Sequence, residues 1–502
     1  MIALIEGKIL GPDIDYLAIA PVLALAAAAL VVILAKAILR KRGPVNQISL
    51  GVSIVGVVAA GVILGFQWND VRDHGAITTI AGAVRVDTFG VFLGVVVIAA
   101  AAMALFLAAS YLDREGLEAP EYYALMLLSA AGMLTMTTAN DLIVVFLALE
   151  LLSIPLYVLA AFDRRRLSSQ ESGIKYFVLG AFSSAVFLYG VALTYGATGT
   201  TSLTGIADFL AKNTLFEQGT LLAGLAMLLV GVGFKVAAVP FHMWTPDVYQ
   251  GAPTPVTAFM ASATKAAGFA ALLRVLGVAF PLYRTDWRPA IWVLAALSLI
   301  VGSVAAVVQT DVKRILAYSS IAHAGYILIG LQADNPRGRQ AALIYLFVYA
   351  FMTVGAFAVI TVATRKGDDH HSLDDYRGLA LRRPVVGGLL AFFVLAQAGV
   401  PLTGGFVVKL QVFASAVDAG EYGLAVIGVL AAVIAAFFYL RIAVTLFNKP
   451  DGDEPAEAAS EEDRPVDAWT GTVLAVTTAA VLFAGILPGA WLTFAKDATF
   501  LL

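Results

Sequence analysis

Long apolar runs constrain this chain more than any other feature of its sequence. A bilayer core about 30 Å thick requires roughly 20 apolar residues per helix, and fourteen segments of about that length follow one another along the 502 residues. The composition agrees, because 60% of the residues are apolar and only 13% are charged. That is too little charge to coat a soluble protein of this size. The sequence therefore predicts an all-α integral membrane protein.

The predicted spans leave only three connections long enough for structure outside the bilayer, at residues 67–87, 197–217 and 448–467. Residues 77–87 contain two alternating β-rich stretches around Ala-Gly and are predicted to form a hairpin. The acidic stretch 448–467 is predicted to be a solvated linker. The spans cover residues 15–37, 46–66, 88–110, 121–138, 140–162, 172–197, 218–240, 255–281, 289–308, 313–331, 340–364, 385–416, 423–447 and 468–490.

Basic residues are distributed unevenly between the two sides of these spans. Connections after odd-numbered spans, counted with four basic residues in the first or last four positions of the adjoining spans, hold eighteen Lys and Arg, whereas those after even-numbered spans, together with the two tails, hold nine. By the positive-inside rule the odd-numbered connections face the cytoplasm and both termini face outward. The other five basic residues fall deeper within the spans: Lys235, Lys265, Arg274, Lys409 and Arg441.

A charge at the bilayer centre costs at least roughly 2.5 to 3.5 kcal/mol and requires a partner or a wet cavity. Glu150 and Lys265 each lie ten residues into a span, about 15 Å deep and near the midplane. Arg274 and Arg441 lie nearer helix ends, from which long side chains are expected to snorkel. Depth along the helices thus predicts that Glu150 and Lys265 are important for function and that the two arginines are not.

Two spans contain residues that interrupt a helix, and each carries a lysine near the interruption. The run 385–416 is too long for one span and contains AGVPLTGG before Lys409, while Pro240 follows Lys235 by five residues. Interrupted helices five spans apart predict an internal duplication, and an odd repeat of five spans forces the two copies into opposite orientations. We expect helices 1–3 over 1–120, a first repeat (helices 4–8) over 121–281, an inverted second repeat (helices 9–13) over 282–447, and the acidic loop with a last helix over 448–502.

Histidines divide between loops and spans. His74, His370 and His371 fall in loops, where the tract KGDDHHSLDDYRGL favours a solvated surface over a metal site. His242 follows the Pro240 interruption and His323 lies at the centre of the tenth span, and histidine titrates near neutrality.

These side chains suggest a proton path with a switch. A movable pairing of Glu150 with Lys235 would hold the lysine proton when the two are close and release it when they separate. The alternative is that each buried ion merely locks two helices together.

Several kinds of function are excluded by what the sequence lacks. Without a single cysteine the chain has no disulfide, no thiolate zinc site and no Cys-ligated iron–sulfur cluster. It also lacks the common Gly-rich phosphate loops and a basic stripe with interleaved aromatics for nucleic acid. Any electron transfer associated with this chain is therefore expected in other chains.

Residues 233–274, GFKVAAVPFHMWTPDVYQGAPTPVTAFMASATKAAGFAALLR, closely resemble the core signature of the subunit N family of the proton-pumping NADH:quinone oxidoreductase, respiratory complex I. Subunits L and M and the multisubunit Na+/H+ antiporters share the lysine, the proline and His-x-Trp-x-Pro-Asp, but typically continue differently from the VYQG found here. Subunit M typically has glutamate at the position of Lys409. Residues 311–328, 373–379 and 398–413 are also similar to this family.

The resemblance implies a fold of about fourteen transmembrane helices with two inverted five-helix repeats and two discontinuous helices. It implies that Glu150, Lys235, Lys265 and Lys409 carry protons, and that His242 and His323 belong to the central hydrophilic axis. FMN, iron–sulfur clusters and quinone are expected in other subunits, with no cofactor or metal on this chain. Other membrane-arm subunits, including antiporter-like ones, are the implied partners. The Ala-rich, Cys-free composition is compatible with a bacterial plasma membrane, and an organelle membrane is the alternative. A subunit of a cation/proton antiporter and a non-transporting scaffold remain the alternatives.

Overall fold

The computed structural model describes residues 4–5, 8–9, 11–39, 45–117, 119–214, 218–364, 366–449 and 465–498. Helices dominate these residues, and their strands form two short hairpins, β1 (Leu4–Ile5) with β2 (Lys8–Ile9) and β3 (Ile77–Thr79) with β4 (Val84–Val86). The second pairing, with Ile77 opposite Val86, confirms the hairpin predicted over 77–87. Most of the predicted acidic linker over 448–467 lies outside the described residues.

Each predicted span coincides with one helix or with a pair of helices, which confirms the all-α membrane fold. Twelve helices of the described ranges are long and apolar enough to cross a membrane, so the count of fourteen spans stays a prediction. The helices are α1 (Tyr16–Leu39), α2 (Val45–His74), α3 (Thr88–Glu115), α4 (Pro120–Thr138), α5 (Leu142–Ala160), α6 (Leu167–Thr198), α7 (Leu203–Lys212), α8 (Gly219–Val236), α9 (Trp244–Gly251), α10 (Thr254–Phe259), α11 (Lys265–Arg274), α12 (Arg284–Val307), α13 (Val312–Gln332), α14 (Pro336–Ala363), α15 (Leu379–Arg382), α16 (Pro384–Ala398), α17 (Gly404–Asp418), α18 (Tyr422–Phe447), α19 (Ala468–Ile486) and α20 (Gly489–Asp497).

The helices form a central group enclosed by an outer group. The stretch from α10 through α11 and residues 341–361 of α14 are buried inside the protein, and α13 is almost so. The outer helices α1, α2, α18 and α19 instead expose many Leu, Val and Ile side chains, which suits contact with lipid. Polar side chains on the central helices are therefore shielded from both lipid and bulk water.

Both predicted helix interruptions are present. Helix α8 ends at Val236, where Ala237 adopts a left-handed backbone (φ 61°), and α9 begins only at Trp244. Helix α16 ends at Ala398 before Gly399 (φ 94°), and α17 begins at Gly404. A positive φ at Gly399 has little steric cost because glycine has no Cβ. Because each helix ends at such a turn, its last carbonyl groups are free to accept hydrogen bonds from side chains.

Local contacts recur 170 residues apart along the chain, as a duplication requires. An isolated β-bridge joins Asp141 to Ser202, and another joins Asp311 to Ser372. Both aspartates also cap the helix that follows them, α5 in the first case and α13 in the second. The same offset relates two close helix crossings, in which Gly132 meets the backbone at residue 152 and Gly302 meets it at residue 322. This correspondence aligns α5 with α13 and supports the predicted repeat.

Candidate functional site

Lys235 lies in the last turn of α8, immediately before the interruption, and is almost completely buried. Its Nζ donates hydrogen bonds to Ser153 Oγ (2.8 Å) and to Tyr176 OH (3.1 Å). Tyr176 in turn stacks on Trp244, with ring centroids 4.6 Å apart, and Trp244 donates its indole N–H to the Phe234 carbonyl. The aromatic pair thereby fixes the position at which the lysine amine meets α5 and α6.

Glu150 does not form the direct ion pair with Lys235 that the sequence suggested. Within the described residues no lysine or arginine nitrogen lies within 4.0 Å of its carboxylate, and its buried Oε1 has no hydrogen-bond partner. The lysine instead contacts Ser153, one helical turn after Glu150 on α5. The two side chains are therefore not paired in the structure.

Lys265 begins α11, directly after a π-helical turn over Met260–Thr264. Its Nζ donates to the hydroxyl of Ser320 (2.6 Å) and to the Ser320 carbonyl on α13, and lies 5.3 Å from the centre of the Tyr349 ring. One turn further along α11, Gly268 brings the helix backbone against Lys235, since a Cβ at that glycine would lie 3.5 Å from Lys235 Cγ. Helix α11 thus connects the Lys235 environment with α13.

His323 lies on the same helix as Ser320, one turn later, and is enclosed by tyrosines. Its Nδ1 lies 2.8 Å from Tyr345 OH and its Nε2 lies 3.1 Å from Tyr439 OH. Tyr439 also hydrogen-bonds to Ser319. In the repeat described above His323 occupies the position that corresponds to Ser153, the partner of Lys235.

Lys409 lies on α17, and its amine contacts the end of α16 at the second interruption. Its Nζ donates to the carbonyl oxygens of Gln397 (2.9 Å) and Ala398 (2.8 Å), which the end of α16 leaves free. Ser319 on α13 contacts the Gln397 side chain at 3.3 Å. Gln397 therefore lies between α13, which contacts its side chain, and Lys409, which binds its backbone carbonyl.

Taken together, three buried lysines and a buried histidine follow one another on α8, α11, α13 and α17, each hydrogen-bonded to hydroxyl or carbonyl groups, with a packing contact at Gly268 between the first two lysines. We call this series the buried line. No carboxylate of the described residues lies within 4.0 Å of these lysine amines. Serine and tyrosine hydroxyls can each donate and accept a hydrogen bond, so the line has the chemistry needed to pass protons. The residues that connect this line were not predicted from the sequence, because uncharged serine, tyrosine and glutamine do not stand out in an apolar helix as a charge does. They are Ser153, Tyr176, Ser319, Ser320, Tyr345, Gln397 and Tyr439.

His242 is not brought into this line. It lies in the connection between α8 and α9, half-buried, and its Nδ1 has no hydrogen-bond partner among the described residues. No group of three or more potential metal ligands occurs in the part of the chain that the structure describes.

Two predictions about charged residues were wrong. Arg274 does not snorkel from its helix end but is 1% exposed, with its guanidinium bound to both carboxylate oxygens of Asp87 (2.9 and 2.7 Å). His371 is not solvated, since only 3% of its side chain is exposed. Both residues have a buried aspartate as partner. Arg441, on α18, donates to the carbonyl oxygens of Val307 and Gln309 at the end of the neighbouring helix α12.

Asp368, which lies outside the membrane spans in the connection between α14 and α15, is the partner of His371 and the centre of a buried cluster at the span ends. Its carboxylate accepts hydrogen bonds from the Thr254 backbone N–H (3.1 Å) and hydroxyl (2.6 Å), and from Arg166 (3.1 Å). Lys313 Nζ, also fully buried, lies 3.8 Å away, and His371 Nε2 lies at 3.1 Å. Burial alone would raise the pKa of Asp368, but the charge of Lys313 and the hydrogen bond to His371 hold that pKa well below its ordinary value.

We expect Asp368→Asn to destabilise the protein by roughly 1.5 to 3 kcal/mol near neutral pH, the range for hydrogen bonds to charged groups. An ordinary aspartate has a pKa of about 3.9, and a carboxylate with a lowered folded pKa stabilises above that value and loses its contribution as the pH falls. The difference between parent and variant should therefore persist from about pH 7 to about pH 5 and shrink below about pH 4. Thermal unfolding of the purified protein across this range measures the difference.

The exposed neighbour Asp369 provides the matched control, because Asp369→Asn removes the same charge from a side chain that is 61% exposed. A stability difference that grew as the pH fell would contradict the assignment of the cluster.

Known proteins match this chain over nearly its whole length. Residues 139–435 match the family described as NADH:quinone oxidoreductase/Mrp antiporter, TM. NADH-quinone oxidoreductase subunit N of Trichlorobacter lovleyi is 43% identical over 89% of this chain and 89% of its own length. The same-named protein of Mycobacterium tuberculosis is 42% identical over 98% of this chain and 99% of its own length.

Solved structures of membrane complexes also contain chains similar to this one. A chain of respiratory complex I from Thermus thermophilus with bound aureothin superposes with a TM-score of 0.79, at 35% identity over 95% of this chain and 99% of that chain. A chain of the Mrp complex from Dietzia has a TM-score of 0.82 over 96% of this chain and 97% of its own length. The latter is only 21% identical and so shows a shared fold alone.

Proposed function

Because the chain belongs to the family of NADH:quinone oxidoreductase and Mrp antiporter membrane subunits, we propose that it is the membrane-arm subunit N of an NADH:quinone oxidoreductase. In this role it translocates protons across the membrane while other subunits transfer electrons from NADH to quinone. Its partners are the other membrane-arm subunits, among them antiporter-like ones. The observation that carries the proposal is the buried line from Lys235 through Lys265 and His323 to Lys409.

The mechanism follows from the chemistry of that line. An ammonium in a dry helix bundle is costly, so a proton that reaches one lysine favours release of a proton held elsewhere on the line. Ser320 accepts the hydrogen bonds of Lys265. Its neighbour Ser319 is hydrogen-bonded to Tyr439 and to the Gln397 side chain. Glu150, one turn from the Lys235 contact, supplies the negative charge whose approach or withdrawal sets whether Lys235 keeps its proton.

Redox chemistry is assigned to other subunits. The sequence contains no cysteine, so this chain cannot hold an iron–sulfur cluster through cysteine thiolates. We propose that the complex carries FMN, iron–sulfur clusters and quinone elsewhere, that the membrane is a bacterial plasma membrane, and that both termini lie on its outer face. The proposed units are residues 1–120, the repeats 121–281 and 282–447, and residues 448–502.

NADH-driven proton uptake by inverted membrane vesicles tests this function. Glu150→Gln and Lys235→Ala are expected to lower the initial rate of uptake about tenfold or more, within reach of the roughly 10² to 10⁴-fold contribution of a positioned acid–base group. Lys212→Ala, at the exposed end of α7, is the matched control and should pump like the parent. Native gels establish that each complex assembles.

Two outcomes would overturn the proposal, and they differ. Fully assembled variants that pump like the parent would indicate a scaffold whose buried ions only hold helices together. Proton movement driven by an imposed Na+ gradient, with none driven by NADH, would indicate a cation/proton antiporter subunit.

A further inference from the structure

An apolar groove of about 850 Å³ opens on the outer surface of the bundle, away from the buried lysines. It runs between the C-terminal end of α5 and the N-terminal part of α6 on one side and the start of α4 on the other. Its walls carry Ile154, Val158, Ile174 and Phe177, all about half or more exposed. Its volume lies within the range of about 300 to 1,000 Å³ typical of sites for small ligands.

The floor of the groove is set by close packing of the two helices. Gly173 of α6 touches Ala161 at the end of α5, so closely that a Cβ at position 173 would lie 2.4 Å from the Ala161 Cβ. Phe177 packs edge-on against Tyr157, with ring centroids 5.7 Å apart. The groove is therefore part of the folded helix pair and does not depend on a flexible segment.

Charged side chains line the groove at the short turn between α5 and α6 and at the start of α4. Arg165 binds both carboxylate oxygens of Asp163, at 2.8 and 3.0 Å. Glu121 is paired with Lys36 of α1. These contacts balance the two carboxylates that line the groove.

Arg164 is different from its neighbours. Its side chain is exposed and has no hydrogen-bond or ion-pair partner among the described residues, although its carbonyl oxygen is held by Gln170 Nε2 at 2.7 Å. The backbone of this turn is thus fixed while the Arg164 guanidinium remains uncompensated. One net positive charge is left at the end of an apolar groove.

We propose that this groove binds an anionic phospholipid, with an acyl chain along α5 and α6 and the phosphate at Arg164. Basic sites between transmembrane helices near a membrane surface recognise anionic headgroups in this way, and a guanidinium is suited to phosphate. The helix ends place the arginine at the depth of a headgroup and the apolar walls at the depth of the acyl chains. This inference requires only that the chain lies in a membrane and is independent of the proton path.

Photolabelling of the assembled complex in lipid nanodiscs tests the proposal. The probe is phosphatidylglycerol with a photoactivatable acyl chain, and a phosphatidylcholine probe with the same chain is the comparison. The phosphatidylglycerol probe should label peptides that contain Ile154, Val158 or Ile174, and do so more strongly than the phosphatidylcholine probe. Arg164→Gln should reduce labelling about fivefold, the effect expected for one basic residue at a membrane surface.

Matched variants separate the two parts of the site. Lys212→Gln removes an exposed charge elsewhere and should leave labelling unchanged, and Arg164→Lys should retain most of it. Ile174→Trp should block labelling by filling the groove, whereas Val178→Trp, one turn away, exposed and outside the groove, should not. Excess inorganic phosphate should not compete.

Three results would overturn the inference. Equal labelling by the two probes would remove the role of the headgroup, and competition by inorganic phosphate would indicate a simple anion site. Absence of labelling in the parent complex would mean that a neighbouring subunit covers the groove.

Discussion

Replacing Lys265 with methionine is expected to lower NADH-driven proton uptake about tenfold or more. Both hydrogen bonds of the Lys265 amine found among the described residues go to Ser320 on α13, so this lysine joins the first repeat to the second. A positioned acid–base group contributes roughly 10² to 10⁴-fold, and the lower expectation allows for water that carries part of the proton flux. Methionine fills a similar volume and adapts to irregular packing, so the fold should be retained.

The measurement is the initial rate of proton uptake by inverted vesicles, normalised to the amount of assembled complex. NADH oxidation with a soluble artificial electron acceptor should be unchanged, because that reaction does not need proton transfer through this chain. Lys212→Met is the control for loss of a lysine at an exposed position. Parent-like uptake by the assembled Lys265→Met complex would show that protons cross without using the connection between α11 and α13.

The buried lysines could be predicted from the sequence because charge is scarce in this chain. Lys235 and Lys409 were further marked by the Pro and Gly residues that interrupt their helices, and both interruptions are present. What could not be predicted is the partner of each lysine. A position along the sequence gives the depth of a side chain in a helix but not which neighbouring helix it faces, so the contact of Lys235 with Ser153 in place of Glu150 was missed.

The same limit explains the error at Arg274 and the unforeseen burial of Lys313. Both lie close to helix ends, where a long side chain is ordinarily free to reach water. Their rotation about the helix axis turns them inward instead, towards carboxylates far away in the sequence, Asp87 and Asp368. Pairing across such separations cannot be deduced from one sequence without the fold.

Arg274 and Asp87 are expected to show the largest stability effect in the protein. Each is 1% exposed, and Arg274 also donates to the Thr137 carbonyl at 2.9 Å. Removal of one member leaves the other as an uncompensated buried charge, which costs about 3 to 5 kcal/mol. Arg274→Met should therefore lower the thermal transition of the purified complex and the amount of subunit that assembles.

A double-mutant cycle distinguishes loss of the charge pair from simple disruption of packing. Asp87 also caps α3 by accepting the Gly90 N–H at 2.8 Å, and asparagine preserves such a cap. Asp87→Asn combined with Arg274→Met leaves no buried charge, so the double variant should be more stable than Arg274→Met alone. Additive losses would contradict a direct pairing.

The exposed pair Arg337 and Asp418 provides the contrast that makes this cycle decisive. Their nitrogen and oxygen atoms lie 2.9 Å apart, a separation close to that of the buried pair, but the side chains are 42% and 49% exposed. Surface pairs of this kind contribute about 0 to 1 kcal/mol, so Arg337→Met should barely move the thermal transition. If both arginine variants had similar effects, burial would not be the cause. A large difference would assign the stability of the α3 and α11 contact to a charge pair that the protein shields from both water and lipid.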